Sequence, residues 1–233
     1  MAVKRLDRLL SELGVATRSE LRQMIKSGRV TVDGAAAVQP DMKIEEQGHT
    51  ICVDGVELCT SCLRYFMMDK PEGVLSATED KRQETVLDLL PPDVRRIGLF
   101  PVGRLDKDTS GLLLLTNDGD FAHRVISPKS GIEKLYYAEV DGTPDEADVK
   151  AFEDGIILGD GTRCLPAKLV PLGENRCHVI VMEGKYHQVK RMLASRGKPV
   201  VKLRRLAVGA LKLDPTLAPG EVKELGSEDM AKV

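Results

Sequence analysis

The chain has no tryptophan, and its four tyrosines and four phenylalanines are only 3% of 233 residues. Each well-placed tyrosine is therefore informative. A long apolar run is also missing. The longest leucine run, Leu112 to Leu115, falls far short of the ~20 residues that span a bilayer. The opening MAVKRLDRLL is charged within five residues, and no secretory signal is expected. We expect a cytoplasmic, monomeric protein with no membrane partner. The five cysteines are an odd number, scattered along the chain, so a disulfide framework is not expected. Cys59 and Cys62 have the gap of a zinc knuckle, but no second Cys or His pair follows at knuckle spacing. Low-complexity tracts and repeats are absent, and 42% hydrophobic with 30% charged residues is the composition of a globular protein. A large excess of either charge is lacking too, with a net charge of −2. Taken alone, that average argues against a nucleic-acid partner.

The average hides a partition. Residues 1 to 30 carry seven Lys or Arg against three acids, and residues 185 to 205 carry eight against none. Two basic zones on a near-neutral chain suit an RNA-binding protein of acidic pI. Leu6, Leu9, Leu10 and Leu13 follow the spacing of an amphipathic helix that Gly14 ends. Thr17 and Glu20 form a capping box for a second helix, with Leu21, Met24 and Ile25 inward and Gly28 closing it. Arg18, Arg22, Lys26 and Arg29 fall along one face of that helix, a row that is either solvated or a binding surface. Asp33-Gly34 and Asp54-Gly55 are turn signals between short strands. RLDRLLSELGVATRSELRQMIKSGRVTVDG is similar to the helix-strand RNA-binding domain named after the fourth small-subunit ribosomal protein. The resemblance covers most of residues 3 to 58 and implies binding to structured RNA through backbone contacts. Arg5, Arg18, Arg22, Lys26 and Arg29 are its candidate contacts.

Beyond a short linker a second domain begins, so we expect residues 1–60 to be the RNA-binding domain and 61–233 another. In the second, Tyr65 to Met68 reads as a strand and residues 69–73 as a turn. Further strands are expected over 111–116, 134–140, 165–170 and 177–182. Helices are expected near 143–154, with Thr143 and Glu146 in the capping-box positions, and near 186–196, ending at Gly197. Many strands and few helices favour α+β, with a mixed, mainly antiparallel sheet.

Asp106 stands at the mouth of the leucine run in GRLDKDTSGLLLLTNDG. Asp106, Asp108, Ser110 and Gly111 imitate the opening of a calcium loop, but position twelve is Asn117 where a bidentate Glu is needed. No metal site is expected. Two readings stay open on this stretch alone: a turn-forming acid, or a reacting carboxylate fixed by a strand buried on both faces.

GRLDKDTSGLLLLTNDG resembles the signature of pseudouridine synthases of the ribosomal small-subunit type. RYFMMDKPEGVLS before it and EGKYHQVKRML after it agree with that family in order and spacing. The resemblance implies an enzyme that detaches uracil from ribose C1′, turns it and rejoins it through C5, without a cofactor. It implies that Asp106 is the attacking carboxylate, and that a nearby cation keeps it ionised. Lys190 is the first candidate for that cation and Arg191 the adjacent one, whereas Arg104 orients backbone or RNA phosphate. In the Lys-x-Tyr pattern Lys134 joins the substrate-binding set, and Tyr136 stacks on the base or assists proton removal at C5. On a strand Tyr136 and Tyr137 face opposite ways, so only one reaches a pocket. Lys70 and Pro71, with Tyr186, His187 and Gln188, shape the site or contact RNA. The target must be flipped out of its stack, at roughly a few kcal/mol, a cost that phosphate contacts from residues 185–205 can offset. The implied target is one uridine of 16S rRNA, position 516. The alternatives are a 23S rRNA synthase of the same family and a noncatalytic RNA-binding assembly factor.

Overall fold

The computed structural model describes residues 3–13, 15–45, 49–58, 63–95 and 97–233. Gly14, Cys59 and Cys62 lie outside the described residues, and with them the helix stop at Gly14 and the knuckle spacing. The chain divides into two compact units, Met1–Arg64 with Leu90–Leu99, and Tyr65–Leu89 with Phe100–Val233.

The first unit opens with strand β1 (Val3–Arg5), then helices α1 (Leu6–Glu12) and α2 (Arg18–Lys26). The strands β2 (Val30–Val32), β3 (Ala35–Ala36), β4 (Lys43–Glu45), β5 (Ile51–Val53) and β6 (Val56–Leu58) follow. Strands β3-β2-β5-β6 make one antiparallel sheet, and β1 pairs with β4. Leu6, Leu9, Leu10, Leu21 and Ile25 bury their side chains with Val30, Ile44 and Ile51. The Thr17–Glu20 capping box is formed. Asp33 and Gly34, like Asp54 and Gly55, all have positive φ, the geometry of tight hairpin turns whose twist matches the strands they join.

One expectation about this unit needs correction. Arg29 is not on the helical face with Arg18, Arg22 and Lys26, because α2 stops at Lys26 and Gly28 turns left-handed at φ +75°. Its guanidinium instead makes two hydrogen bonds with the Asp54 carboxylate. Helix α3 (Pro92–Arg95) also belongs to this unit.

The second unit is built on nine strands: β7 (Tyr65–Lys70), β8 (Phe100–Pro101), β9 (Ser110–Thr116), β10 (Lys134–Val140), β11 (Lys168–Pro171), β12 (Arg176–Val181), β13 (Val200–Val208), β14 (Leu211–Lys212) and β15 (Val222–Glu224). The order is β11-β12-β10-β13-β9-β7-β15, with β14 on β13 and β8 on β9. Only the β13–β9 contact is parallel. The fold is thus α+β with a mainly antiparallel sheet. Every residue of β9 is buried. Leu112 and Leu114 pack with Phe121, Ala122 and Val125 of helix α4 (Gly119–Ile126), and Leu113 and Leu115 are buried on the opposite face. Helices α5 (Glu146–Asp154), α6 (Gln188–Ser195) and α7 (Ser227–Met230) complete the unit.

Three local expectations differ from what forms. The cap of α5 is Asp145 with Asp148, not Thr143 with Glu146; the helix starts two residues later, where the Asp145 carboxylate accepts from the Asp148 N–H and the Asp148 carboxylate from the Asp145 N–H. The strand expected from 165 begins at Lys168, and β7 runs to Lys70 rather than turning at Asp69.

Candidate active site

The loop before β9 carries Asp106 and is fastened from beneath. The Ser76 hydroxyl accepts from the Leu105 N–H and donates to the Leu105 carbonyl. The Lys70 ammonium, fully buried, donates to the carbonyls of Pro71, Asp106 and Thr109 at 2.9, 3.2 and 3.0 Å, with Lys107 at 3.5 Å. Lys70 therefore shapes the loop, and its burial leaves no route to RNA. Such a cage keeps a reacting group within the narrow positional range that catalysis needs.

Burial lowers the Lys70 pKa to about 8, against the opposing pull of Glu72, Asp106 and Asp108. The unfolded side chain has a pKa of 10.5, so between about pH 8 and 10.5 the unfolded chain holds a proton that the native one has released. This group then adds stability as pH rises. The neutral amine, however, has two hydrogens for carbonyls that the ammonium meets with three. We expect the reaction rate to fall above about pH 8 without a matching loss of thermal stability. An alkaline limb that persists at the same pH in Lys70→Met would assign it to another group.

The Asp106 carboxylate, about one quarter exposed, lies 3.3 Å from the Lys190 ammonium and 3.4 Å from His187 Nε2. Lys190 also contacts Asp108, whose pKa is held down chiefly by that hydrogen bond. Arg191 points elsewhere, to Asp160 at 2.6 Å. Of the two basic neighbours only Lys190 faces Asp106, since α6 turns successive residues about 100° apart. Lys190→Met should slow the reaction about a hundredfold, as loss of a positioned cation does. Arg191→Met removes only a partly exposed pair and should cost less than about fivefold. Equal losses in steady-state and single-turnover assays would refute that division.

Asp106 opens on a cavity of about 840 Å³ that also receives Arg104, Lys134, Tyr136, Tyr186 and His187. Tyr136 is buried with its ring toward this space, while Tyr137 faces the other way, donating to Glu139 and packing edge-on to His178. Tyr186 is 76% exposed, the only exposed ring among the eight aromatic side chains. It stacks on His187 at 3.9 Å. His187 sits at the N-cap of α6 with φ +49° and makes no cap hydrogen bond through its side chain. Gln188 is buried and ties Glu183 to the Lys185 N–H. It braces the 183–188 loop and presents nothing to solvent. Arg104 is exposed at the rim.

The basic stretch 185–205 is not a free phosphate surface. Lys185 pairs with Glu183, Lys190 with Asp106, Arg191 with Asp160, Arg196 and Lys198 with Asp148, and Arg204 with Asp69. Arg205 is buried in the cavity wall and donates to the Leu112 carbonyl. Its role was missed because the stretch reads as surface charge. The signal was its period: Leu203, Arg205 and Ala207 are in phase on the buried face of β13. In the first unit Arg5 is engaged by Asp7, and Arg22 lies 3.5 Å from the same carboxylate. Arg18 and Lys26 are exposed. No group of three or more His, Cys, Asp or Glu with metal-holding geometry occurs among the described residues.

A caged carboxylate beside a fixed cation, opening on a cavity with room for a nucleoside, is an arrangement suited to acid or nucleophilic chemistry. Comparison with known proteins narrows that class. A family model described as RNA pseudouridylate synthase matches residues 64–195, and one described as the S4 domain matches residues 4–51. The chain is 43% identical over 230 residues to a Bacillus subtilis protein named as an uncharacterized RNA pseudouridine synthase, YtzG, covering 97% of this chain and 96% of that one. It is 42% identical over 233 residues to the ribosomal small subunit pseudouridine synthase A of Vibrio cholerae, covering 98% and 99%. A solved pseudouridylate synthase superposes with a TM-score of 0.70 at 33% identity, over 98% of this chain and 99% of that one. The chain belongs to the RNA pseudouridylate synthase family, a family of isomerases.

Proposed function

We propose that this protein converts one uridine of 16S rRNA to pseudouridine, with position 516 the implied target, and that Asp106 is the nucleophile. The observation that carries this reading is the Asp106 carboxylate, fixed by its loop and facing Lys190 at the mouth of the cavity. In this reading Lys190, 3.3 Å away, aims the carboxylate, while Tyr136 packs against the flipped base. Tyr186 at the rim offers a ring to a neighbouring base, a sequence-tolerant contact worth about 1–3 kcal/mol. Arg104, Arg18 and Lys26 meet phosphates, and residues 1–60 act as a separate RNA-binding domain. The protein works as a cytoplasmic monomer without a cofactor.

Support for the small-subunit target comes from the relatives named ribosomal small subunit pseudouridine synthase A, matched along nearly their whole length. Mapping pseudouridines on 16S and 23S rRNA from cells lacking the protein tests it. One 16S site is expected to lose its modification and regain it on complementation. A lost 23S site would move the target to the large subunit, and no lost site in either would leave the assembly-factor reading.

A further inference from the structure

Two cations are buried in the wall of the Asp106 cavity, and among the described residues no acid pairs with either. Arg205 is 4% and Lys134 7% exposed, and both line the cavity. Lys134 occupies the inward phase of β10 with Tyr136, Ala138 and Val140, as Arg205 does on the neighbouring β13. Arg205 donates through Nε to the Leu112 carbonyl, and its Nη1 lies 3.5 Å from the Tyr136 hydroxyl. Lys134 donates to the Ile132 carbonyl. Neither forms an ion pair among the described residues. Burial lowers the Lys134 pKa, and the nearby Arg205 charge lowers it further. Two like charges held together out of water are costly unless something negative joins them.

We infer that Arg205 and Lys134 form an oxyanion site for a carbonyl oxygen of the uracil ring, stabilising the charge that appears there when the base is detached. This rests on the reading that Asp106 reacts in this cavity. Breaking the C1′–N1 bond leaves its electron pair on the uracil, spread over N1, O2 and O4, while the Asp106 carboxylate bonds to C1′. If Asp106 instead adds to C6, the pair from the C5–C6 bond moves onto O4. Negative charge reaches a ring oxygen by either route. On rejoining, C5 bonds to C1′ and the carboxylate leaves; C5 then loses its proton and N1 gains one, restoring a neutral ring. A phosphodiester is a poor fit for the pair. It must continue to nucleotides on both sides and so runs along the cavity mouth, whereas Arg205 and Lys134 are buried beside the Tyr136 ring, where the edge of a base arrives.

The test combines variants of the full-length protein with single-atom changes in the substrate. rRNA carrying 2-thio- or 4-thiouridine at the target position is compared with normal rRNA in single-turnover assays. Arg205→Gln is expected to slow normal rRNA about 100- to 1,000-fold, as loss of an oxyanion donor does, with RNA affinity changed less than about threefold. Sulfur at one ring position should slow the wild type yet slow Arg205→Gln no further, because coupled losses do not add. Arg205→Lys should recover part of the rate. Lys134→Met, which gives up one carbonyl contact, carries the same test if Arg205→Gln fails to fold. Additive losses with both thio substrates, or affinity falling in step with rate as a phosphate site requires, would overturn the inference. An active Asp106→Asn enzyme would instead overturn the reading of the site on which it stands.

Discussion

Asp106→Asn should reduce pseudouridine formation by about 10⁴-fold or more, the scale on which removing a nucleophile acts, with RNA affinity within about threefold of wild type. Asparagine keeps the shape of the side chain and can still accept from Lys190, but its neutral amide cannot attack carbon. The loop should hold, because its fastenings are the Lys70 ammonium and the Ser76 hydroxyl acting on backbone atoms, none of which the substitution touches. Affinity should hold as well, since one partly exposed carboxylate adds nothing attractive toward a polyanion. A loss of rate accompanied by a large drop in thermal midpoint would point to damage rather than chemistry. Asp106→Ala guards against traces of acid regenerated by deamidation. Product formed at near wild-type rate by both variants would remove Asp106 from the reaction.

The two units differ in how much of them can be read from sequence, and the reason is range. In the first unit the determinants are local: leucines at helical spacing, a capping box within four residues, and Asp-Gly pairs between adjacent strands. Each element is fixed by neighbours in the chain, so pattern and propensity suffice. Where the first unit departs from expectation, at Arg29, a single glycine ends the helix one turn earlier than the charge pattern suggests. The second unit depends on pairings between distant segments. Strand β13 is the longest among the described residues, yet its lysine and arginines conceal it, because a basic run reads as a phosphate-binding surface. Six of the eight cations in 185–205 find acids elsewhere in the sequence, from Asp69 to Glu183, and no linear pattern reveals such partners. Asp106 itself could be read as a candidate. That Lys190 rather than Arg191 faces it, and that Asp108 shares the same ammonium, required the packing of α6 beside the loop.

Gly111→Ala should cost about 3–5 kcal/mol of stability, the upper range for a single substitution, and should abolish activity in whatever remains folded. Gly111 has φ +104°, and a Cβ there would lie 2.2 Å from the carbonyl oxygen and 2.7 Å from the nitrogen of Arg205. Both are backbone atoms of a central strand, so no side chain can swing aside. Backbone strain of about 1–3 kcal/mol and overpacking of about 1–3 kcal/mol therefore act together. The expected drop in thermal midpoint is roughly 6–20 °C for a domain of this size. Gly34→Ala separates the two causes: its φ of +81° is also left-handed, but nothing lies within 4 Å of the added carbon, so only the strain remains. The functional consequence follows from register. Gly111 pairs with Lys70 on one side and with Arg205 on the other, between the ammonium that holds the Asp106 loop and the guanidinium in the cavity wall. Forcing β13 away from β9 carries Arg205 off the Leu112 carbonyl, and with it the parallel contact that closes the cavity wall behind Asp106. If Gly111→Ala proved as stable as Gly34→Ala, the close approach of these two strands could not be what sets the site.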